Sequence, residues 1–288
     1  MISPADRASG IAALLHHFEL EEFCNKNVAI KANFNSADPF PASTHPDTLK
    51  PLFKALKKVD SHIVLAERSG MGQTENVLNT LGIPSLLSEY NGDFIVLDSL
   101  RKDQFSRFRG EHWKQGFLLA QVFLDADCVI STCCLKTHRF GGHFTLSLKN
   151  SVGAIAQYDP ETGYNYMQEL HQSPHQRKMI AEINAAFPCN LVILDCMKGF
   201  STMGPEQGNV IEPNILLASA DRISTDYVGV SILRHFGTTP EVEKGKIFEQ
   251  EQIKRAVELK IGAQSADDIE IIPLDKKSEK FAGKLEIL

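Results

Sequence analysis

The chain has 288 residues, 43% of them hydrophobic and 23% charged, with a formal net charge of −6. That composition supports a real core and excludes a mainly disordered chain, and the acidic balance argues against a protein devoted to nucleic acid. No apolar run approaches the ~20 residues that cross a bilayer, so no membrane span is expected, and the start, Met1 to Arg7, lacks the charged-then-apolar order of a secretory signal, which makes the cytoplasm the expected location.

A helix is expected from Ala5 to His16, with Ile11, Leu14 and Leu15 on one side, and a first strand from Asn27 to Asn33. After the polar, proline-rich segment Asn35 to Pro46, a helix runs from Asp47 to Lys57 with Thr44 as its cap. His62 to Glu67 reads as strand, Arg68 to Gly72 as a glycine-bearing loop, Thr74 to Leu81 as helix and Phe94 to Leu97 as strand. Arg101 to Gln115 fits either a loop or an excursion from the sheet. Cys128 to Thr132 is a buried strand that leads to Lys136 and His138, turns through Gly141-Gly142 and enters a helix from about Phe144 that carries Lys149. A soft stretch from Tyr158 to Tyr166 follows.

Helical spacing returns from His175 to Phe187, and Asn190 to Asp195 is the apolar run of a buried parallel strand. Lys198 to Gly208 reads as loop, Asn214 to Ser219 as strand, Asp221 to His235 as helix, Glu241 to Ile261 as a charged helix and Ile269 to Ile272 as a last strand. This alternation predicts an α/β fold, a mainly parallel sheet flanked by helices in Rossmann-like order. The expected organisation is an N-terminal helix over 1–26, an α/β domain over 27–275 whose two lobes hold the site between them, and an exposed lysine-rich tail over 276–288.

Ligands in open α/β sheets bind beyond the carboxyl ends of the strands. Lys31, Asn33, Glu67, Lys136, His138, Asp195 and Asp221 collect at such ends. Lys136, His138 and Lys149 supply cationic and acid–base groups, and they are the candidate catalytic residues. Lys31 and a helix N-terminus behind Gly142 would hold an anion, Glu67 would tune the lysines, and Asn33, Thr44 and Asn150 complete the expected binding set. The expected ligand is a small anionic metabolite, and a homo-oligomer or a redox partner fits the same picture.

Nucleotide fingerprints are missing: no G-x-G-x-x-G follows a strand, and no Walker loop or G-x-S-x-G elbow occurs. The six cysteines contain no C-x-x-C, so neither a zinc ribbon nor a cluster-binding motif is present. They are expected as free thiols, with one of Cys133-Cys134 at the site mouth. For a metal, His171 and His175 are four apart, but Pro174 between them and the lack of a glutamate after the first argue against a zincin-type pair, and His138 with His143 has no standard spacing.

The run Ile30-Lys-Ala-Asn33, Thr44-His-Pro46, Ala66-Glu-Arg-Ser-Gly70, Ala126-Asp-Cys-Val-Ile130, Leu135-Lys-Thr-His138, Leu148-Lys-Asn150 with Gly153, and Asp195 with Met203-Gly-Pro205 resembles the domain-of-unknown-function 362 family over residues 27 to 236. Lys-Thr-His followed by Lys-Asn is its most specific part. More distantly, Ala126-Asp127 through His138, Gly141-Gly142, Lys149, Gly153 and His171 is similar to the nickel-pincer lactate racemase family. That resemblance implies a cofactor-bearing Lys149, an acid–base His138 and a metal-ligating His171, and only through it do His138 and His171 enter as candidate metal ligands. Two departures stand out: the turn is shortened to Phe140-Gly141-Gly142, and Glu67-Arg68-Ser69 stands where that family has threonine-histidine-arginine. Together these readings predict an α/β enzyme that moves a proton or a hydride next to an anionic group. A carrier of an anionic cofactor and a redox protein that borrows a cluster are the alternatives.

Overall fold

The computed structural model describes residues 1–18 and 20–285. Ten strands form among the described residues: β1 (Asn27–Lys31), β2 (His62–Glu67), β3 (Asp93–Val96), β4 (Phe105–Phe108), β5 (Phe117–Ala120), β6 (Cys128–His138), β7 (His143–Thr145), β8 (Leu191–Thr202), β9 (Asn209–Ile211) and β10 (Ile215–Ser219). The main sheet has the order β10-β8-β6-β1-β2-β3, parallel throughout except for β10, which runs antiparallel to β8 at one edge. Val28 and Ile30 point to one face with Cys128 and Ile130, and Ala29 and Val129 to the other. Each face therefore needs its own layer of helices. The helix Pro46–Lys58 covers one with Leu49, Leu52, Phe53 and Leu56, the i, i+3, i+4, i+7 stripe of an amphipathic helix, and Arg7–Leu15 packs beside it. Gln176–Asn184 and Arg222–His235 cover the other.

Several expectations are corrected. β6 does not stop at Thr132 but runs to His138 with every residue buried, so Lys136 and His138 lie within a strand. The register with β8 jumps from Cys134–Asp195 to Leu135–Gly199, a bulge beyond which the two strands stay paired with each other past the ends of β1 and β10. Each then gains an antiparallel partner, β7 on β6 and β9 on β8. Gly141-Gly142 sits in the β6–β7 turn, with Gly141 at φ 82°, and no helix starts at Phe144, which belongs to β7. The helix carrying Lys149 is the short Ser147–Asn150.

Elsewhere, His45 rather than Thr44 caps the helix Pro46–Lys58: its Nδ1 accepts from the Asp47 N–H at 3.1 Å. Arg101 to Gln115 contains β4, which pairs with β5 in a second, two-stranded sheet. The charged helix is broken at Gly245 (φ 75°) into Pro240–Glu243 and Glu251–Glu258. Ile269 to Ile272 forms no strand. Past Asp275 the chain forms the helix Lys276–Ala282, with Lys276, Lys277, Glu279 and Lys280 exposed and Ser278 and Leu285 buried, while positions 286–288 of the expected tail lie outside the described residues. Cys133 and Cys134 are both buried in mid-strand, on opposite faces, and neither reaches a site mouth.

Candidate functional site

Lys31 and Glu67 are the last residues of β1 and β2, and their side chains meet in a cleft of about 410 Å³ at the carboxyl edge of the sheet. The β6 extension brings Lys136 and His138 into the same cleft, and the segment from Lys149 to His171 closes its other side. Asn33 and Asn150 also line it. Thr44 and Gly142 do not line it, although both act on residues that do.

Lys31 Nζ lies 2.5 Å from Glu67 Oε1. Glu67 also accepts from the N–H groups of Arg68 (2.9 Å) and Phe34 (3.3 Å). Burial pushes the Lys31 ammonium below its ordinary range and the Glu67 carboxyl above its own, and their contact opposes both shifts. Lys31 is thus matched by its own counter-charge. A Cβ at Gly153 would stand 2.6 Å from Lys31 Cε and 2.9 Å from Glu67 Oε1, so only glycine admits this pair. Arg68 holds the wall in place by donating to the carbonyls of Ile155 (3.0 Å), Val152 (2.9 Å) and Ser69 (3.2 Å).

Lys136 donates to Asn33 Oδ1 and to the Ala42 carbonyl, each at 2.5 Å, and burial lowers its pKa. Thr44 enters indirectly: its hydroxyl accepts from the Asn33 N–H at 3.0 Å. Asn150 Nδ2 ties the Lys31 carbonyl (3.1 Å) to Ser131 Oγ (3.0 Å) across the neighbouring strands. Both asparagines position other groups.

Lys149 differs from the other cations. It is only 8% exposed, lines the cleft, and has no hydrogen-bond or ion-pair partner among the described residues. Burial, then Lys136 and Arg68, bring its pKa down to about 7. A Cβ at Gly142 would lie 2.7 Å from His138 Nδ1 and 2.8 Å from Lys149 Cε, so this glycine lets the two side chains come together.

The imidazoles are fixed in opposite senses. His138 Nδ1 accepts from the Gly142 N–H (3.2 Å), which leaves the proton of the neutral ring on Nε2. His171 Nδ1 lies 2.7 Å from the Met167 carbonyl, an acceptor only, so Nδ1 carries the proton and Nε2 keeps a lone pair. Burial, followed by the Lys149 charge, lowers the pKa of both, that of His138 far below its ordinary value. The pair is neutral at neutral pH, one ring a donor at Nε2 and the other an acceptor.

The expected anion site at a helix N-terminus is already filled by the chain itself. The N–H groups of Ser147 and Leu148 donate to Asp226 at 2.7 and 3.2 Å, and burial raises that carboxyl to about 7. Asp195 is bound to Arg7 and Thr48 outside the cleft, and Asp221 caps the helix Arg222–His235. Among the described residues, the ligand atoms that converge within 4.8 Å are those of Glu111, His112 and Glu182, none of which lines the cleft. Arg255 is bonded to both glutamates there.

The sequence reading missed Gly153 and Arg68 as site residues. Their signal was the family pattern around Glu67 and Lys149, but what they touch depends on segments about 85 residues apart.

Residues 28–231 match the sequence profile of a family described as "Domain of unknown function (DUF362)". The thylakoid-associated protein sll1697 of Synechocystis sp. (strain PCC 6803) is 28% identical over 171 residues, which is 58% of this chain and 48% of that protein. The chain thus matches about half the length of that relative. Among solved structures, the lactate racemase apoprotein from Thermoanaerobacterium thermosaccharolyticum superposes with a TM-score of 0.52 at 15% identity, over 81% of this chain and 57% of that one. The two share a fold. No helix of the described residues is long and apolar enough to cross a membrane.

Proposed function

The chain belongs to the DUF362 family, and from that premise we propose that it is an enzyme that binds a small anionic metabolite in this cleft and moves a proton on it. One observation carries the reading: Lys149 is a buried amine without a protein acceptor among the described residues, beside two imidazoles of opposite tautomer. Lys149 and the remaining N–H of Lys136 bind the anion's oxygens. His171 Nε2 accepts a proton from the adjacent carbon and its imidazolium returns one after exchange with water, while His138 Nε2–H donates a hydrogen bond to the oxygen on which charge develops, so a substrate held between them exchanges hydrogen, as in a racemisation. The base must start as a neutral ring, and burial favours that form for His171.

The lysine-linked metal cofactor that the racemase resemblance implies fits the same residues, with Lys149 to bear it and Nε2 of His171 to ligate it; when bound, it would supply hydride acceptance. The six cysteines are unpaired, which supports a reducing compartment such as the cytoplasm. A carrier without catalysis would use the same anion site and leave the imidazoles idle.

Two measurements test this. Sulfate, phosphate or citrate should raise the melting temperature more than chloride at matched ionic strength, most strongly below pH 7 and fading as pH rises through Lys149's pKa of about 7. In D2O, a panel of 2-hydroxy and 2-keto acids should include one whose C–H exchanges, with His138→Gln or His171→Gln slowing it by ~10²–10⁴-fold. Anion stabilisation without exchange for any acid would make the protein a carrier, and no anion effect would remove the site.

A further inference from the structure

Eight large apolar side chains are exposed among the described residues, and they are not spread evenly. Met71 and Phe140 line the cleft, Tyr158 follows the lining residue Gln157, and Met203 lies two residues before the lining residue Pro205. Phe140 and Met203 belong to two neighbouring turns, joined where the Arg139 N–H donates to the Gly204 carbonyl (3.0 Å) and Arg139 Nη1 to the Met203 carbonyl (2.8 Å). The Arg139 guanidinium lies 4.3 Å above the Phe140 ring, and the same ring meets His138 edge-on at 5.7 Å. The apolar rim therefore begins at the His138 imidazole and reaches the cleft mouth.

The interior is polar and its cationic donors are mostly committed. Lys31 is paired with Glu67, Arg68 directs its donors to carbonyls and the Met167 sulfur, and Lys136 has two neutral acceptors. That leaves the Lys149 ammonium and one N–H of Lys136, a supply that the two oxygens of a carboxylate match. At about 410 Å³ the cleft falls within the roughly 300–1,000 Å³ that holds drug-sized ligands, more than a three-carbon acid requires.

We infer that the substrate is a carboxylate carrying an aromatic or alkyl body, its carboxylate at Lys149 and its apolar part against Phe140 and Met71 at the mouth. This rests on the anion-binding reading above and adds the class of ligand. Exposed apolar side chains gain from being covered by an apolar ligand, and methionine adapts its shape to the occupant. A ring so placed would also stack near His138, which orients the carbon next to the carboxylate toward the proton-transfer groups.

The test compares dissociation constants of acetate, phenylacetate, 4-phenylbutyrate and uncharged 2-phenylethanol by ligand-observed NMR, using the full chain. Phenylacetate should bind about ten-fold tighter than acetate, as a partly buried ring provides, and 4-phenylbutyrate at least as tightly. Met71→Ser/Phe140→Ser should remove that gain, whereas Ile272→Ser, which alters an exposed apolar residue that does not line the cleft, should keep it. Equal affinities for acetate and phenylacetate, both lost in Lys149→Met, would overturn this inference and leave the anion site standing. Binding of 2-phenylethanol as tight as that of phenylacetate would overturn it too. Carboxylate binding indifferent to Lys149→Met would sink the anion reading itself.

Discussion

Burying an amine without a partner costs stability, and Lys149 is such an amine among the described residues. Its pKa of about 7 in the folded chain lies below the ordinary 10.5, so between those values the unfolded chain binds more protons and stability rises with pH. Below pH 7 the full penalty is present; above 10.5 it is gone. Lys149→Met removes it. The variant should be more stable than the parent at pH 6, on the order of a few kcal/mol, with the difference narrowing toward pH 10. Denaturant midpoints across that range check this, and a variant less stable at pH 6 would mean that Lys149 is a structural group. Gly142 and Gly153 explain the neighbourhood at the same scale: each occupies a point where a Cβ would strike two functional side chains.

At the scale of elements, the site depends on two departures from plain strand–helix alternation. One is the paired extension of β6 and β8 past the bulge, which carries Lys136 and His138 beyond the end of the neighbouring β1. The other is the segment 157–165, soft in sequence yet tightly held by Asp159. Burial alone would raise that carboxyl's pKa, but Lys102 (3.0 Å), the N–H groups of Glu161 and Thr162 and the Tyr166 hydroxyl outweigh it and hold it well below the ordinary range. The helix Tyr166–Gln172, which bears His171, starts directly after. Asp159→Asn weakens these bonds without changing shape. Amide exchange over 157–165 should become about ten-fold faster, the equivalent of ~1.4 kcal/mol of local stability, while β1 and β6 keep their protection. Unchanged exchange in that segment would show that other contacts hold it.

Across the whole molecule, the N-terminal helix is tied to the far part of the sheet. Arg7 Nε lies 2.8 Å from Asp195 Oδ2, which also accepts from the Thr48 hydroxyl at 2.7 Å, and Ile11, Leu14 and Leu15 join the core on that face. Asp195 is almost fully buried, so Arg7→Ala leaves a carboxylate in the core with too few donors. The loss should be about 3 kcal/mol, seen as a lower urea midpoint with an unchanged slope. If the midpoint does not move, the helix is docked by its apolar residues alone.

The parallel sheet and its helices are legible in the chain because strand alternation and helical spacing are local: β2 matches its expected bounds, and Arg222–His235 starts one residue after the expected Asp221, its cap. The strand ends are legible too, which is why the amino-acid order alone groups Lys31, Glu67, Lys136, His138 and Lys149, and all five line one cleft. What local pattern could not supply was pairing between distant segments. Whether β6 stopped at Thr132 or ran to His138 depended on β8 lying beside it, some 60 residues on. Lys31, expected to hold an anion, is instead neutralised by Glu67 across two strands. The helix N-terminus expected to take an anion was occupied by Asp226, 79 residues after Ser147. Charges and hydrogen-bond donors are free or satisfied only relative to what the fold brings within about 3 Å, and that is decided by tertiary contact, not by sequence neighbours.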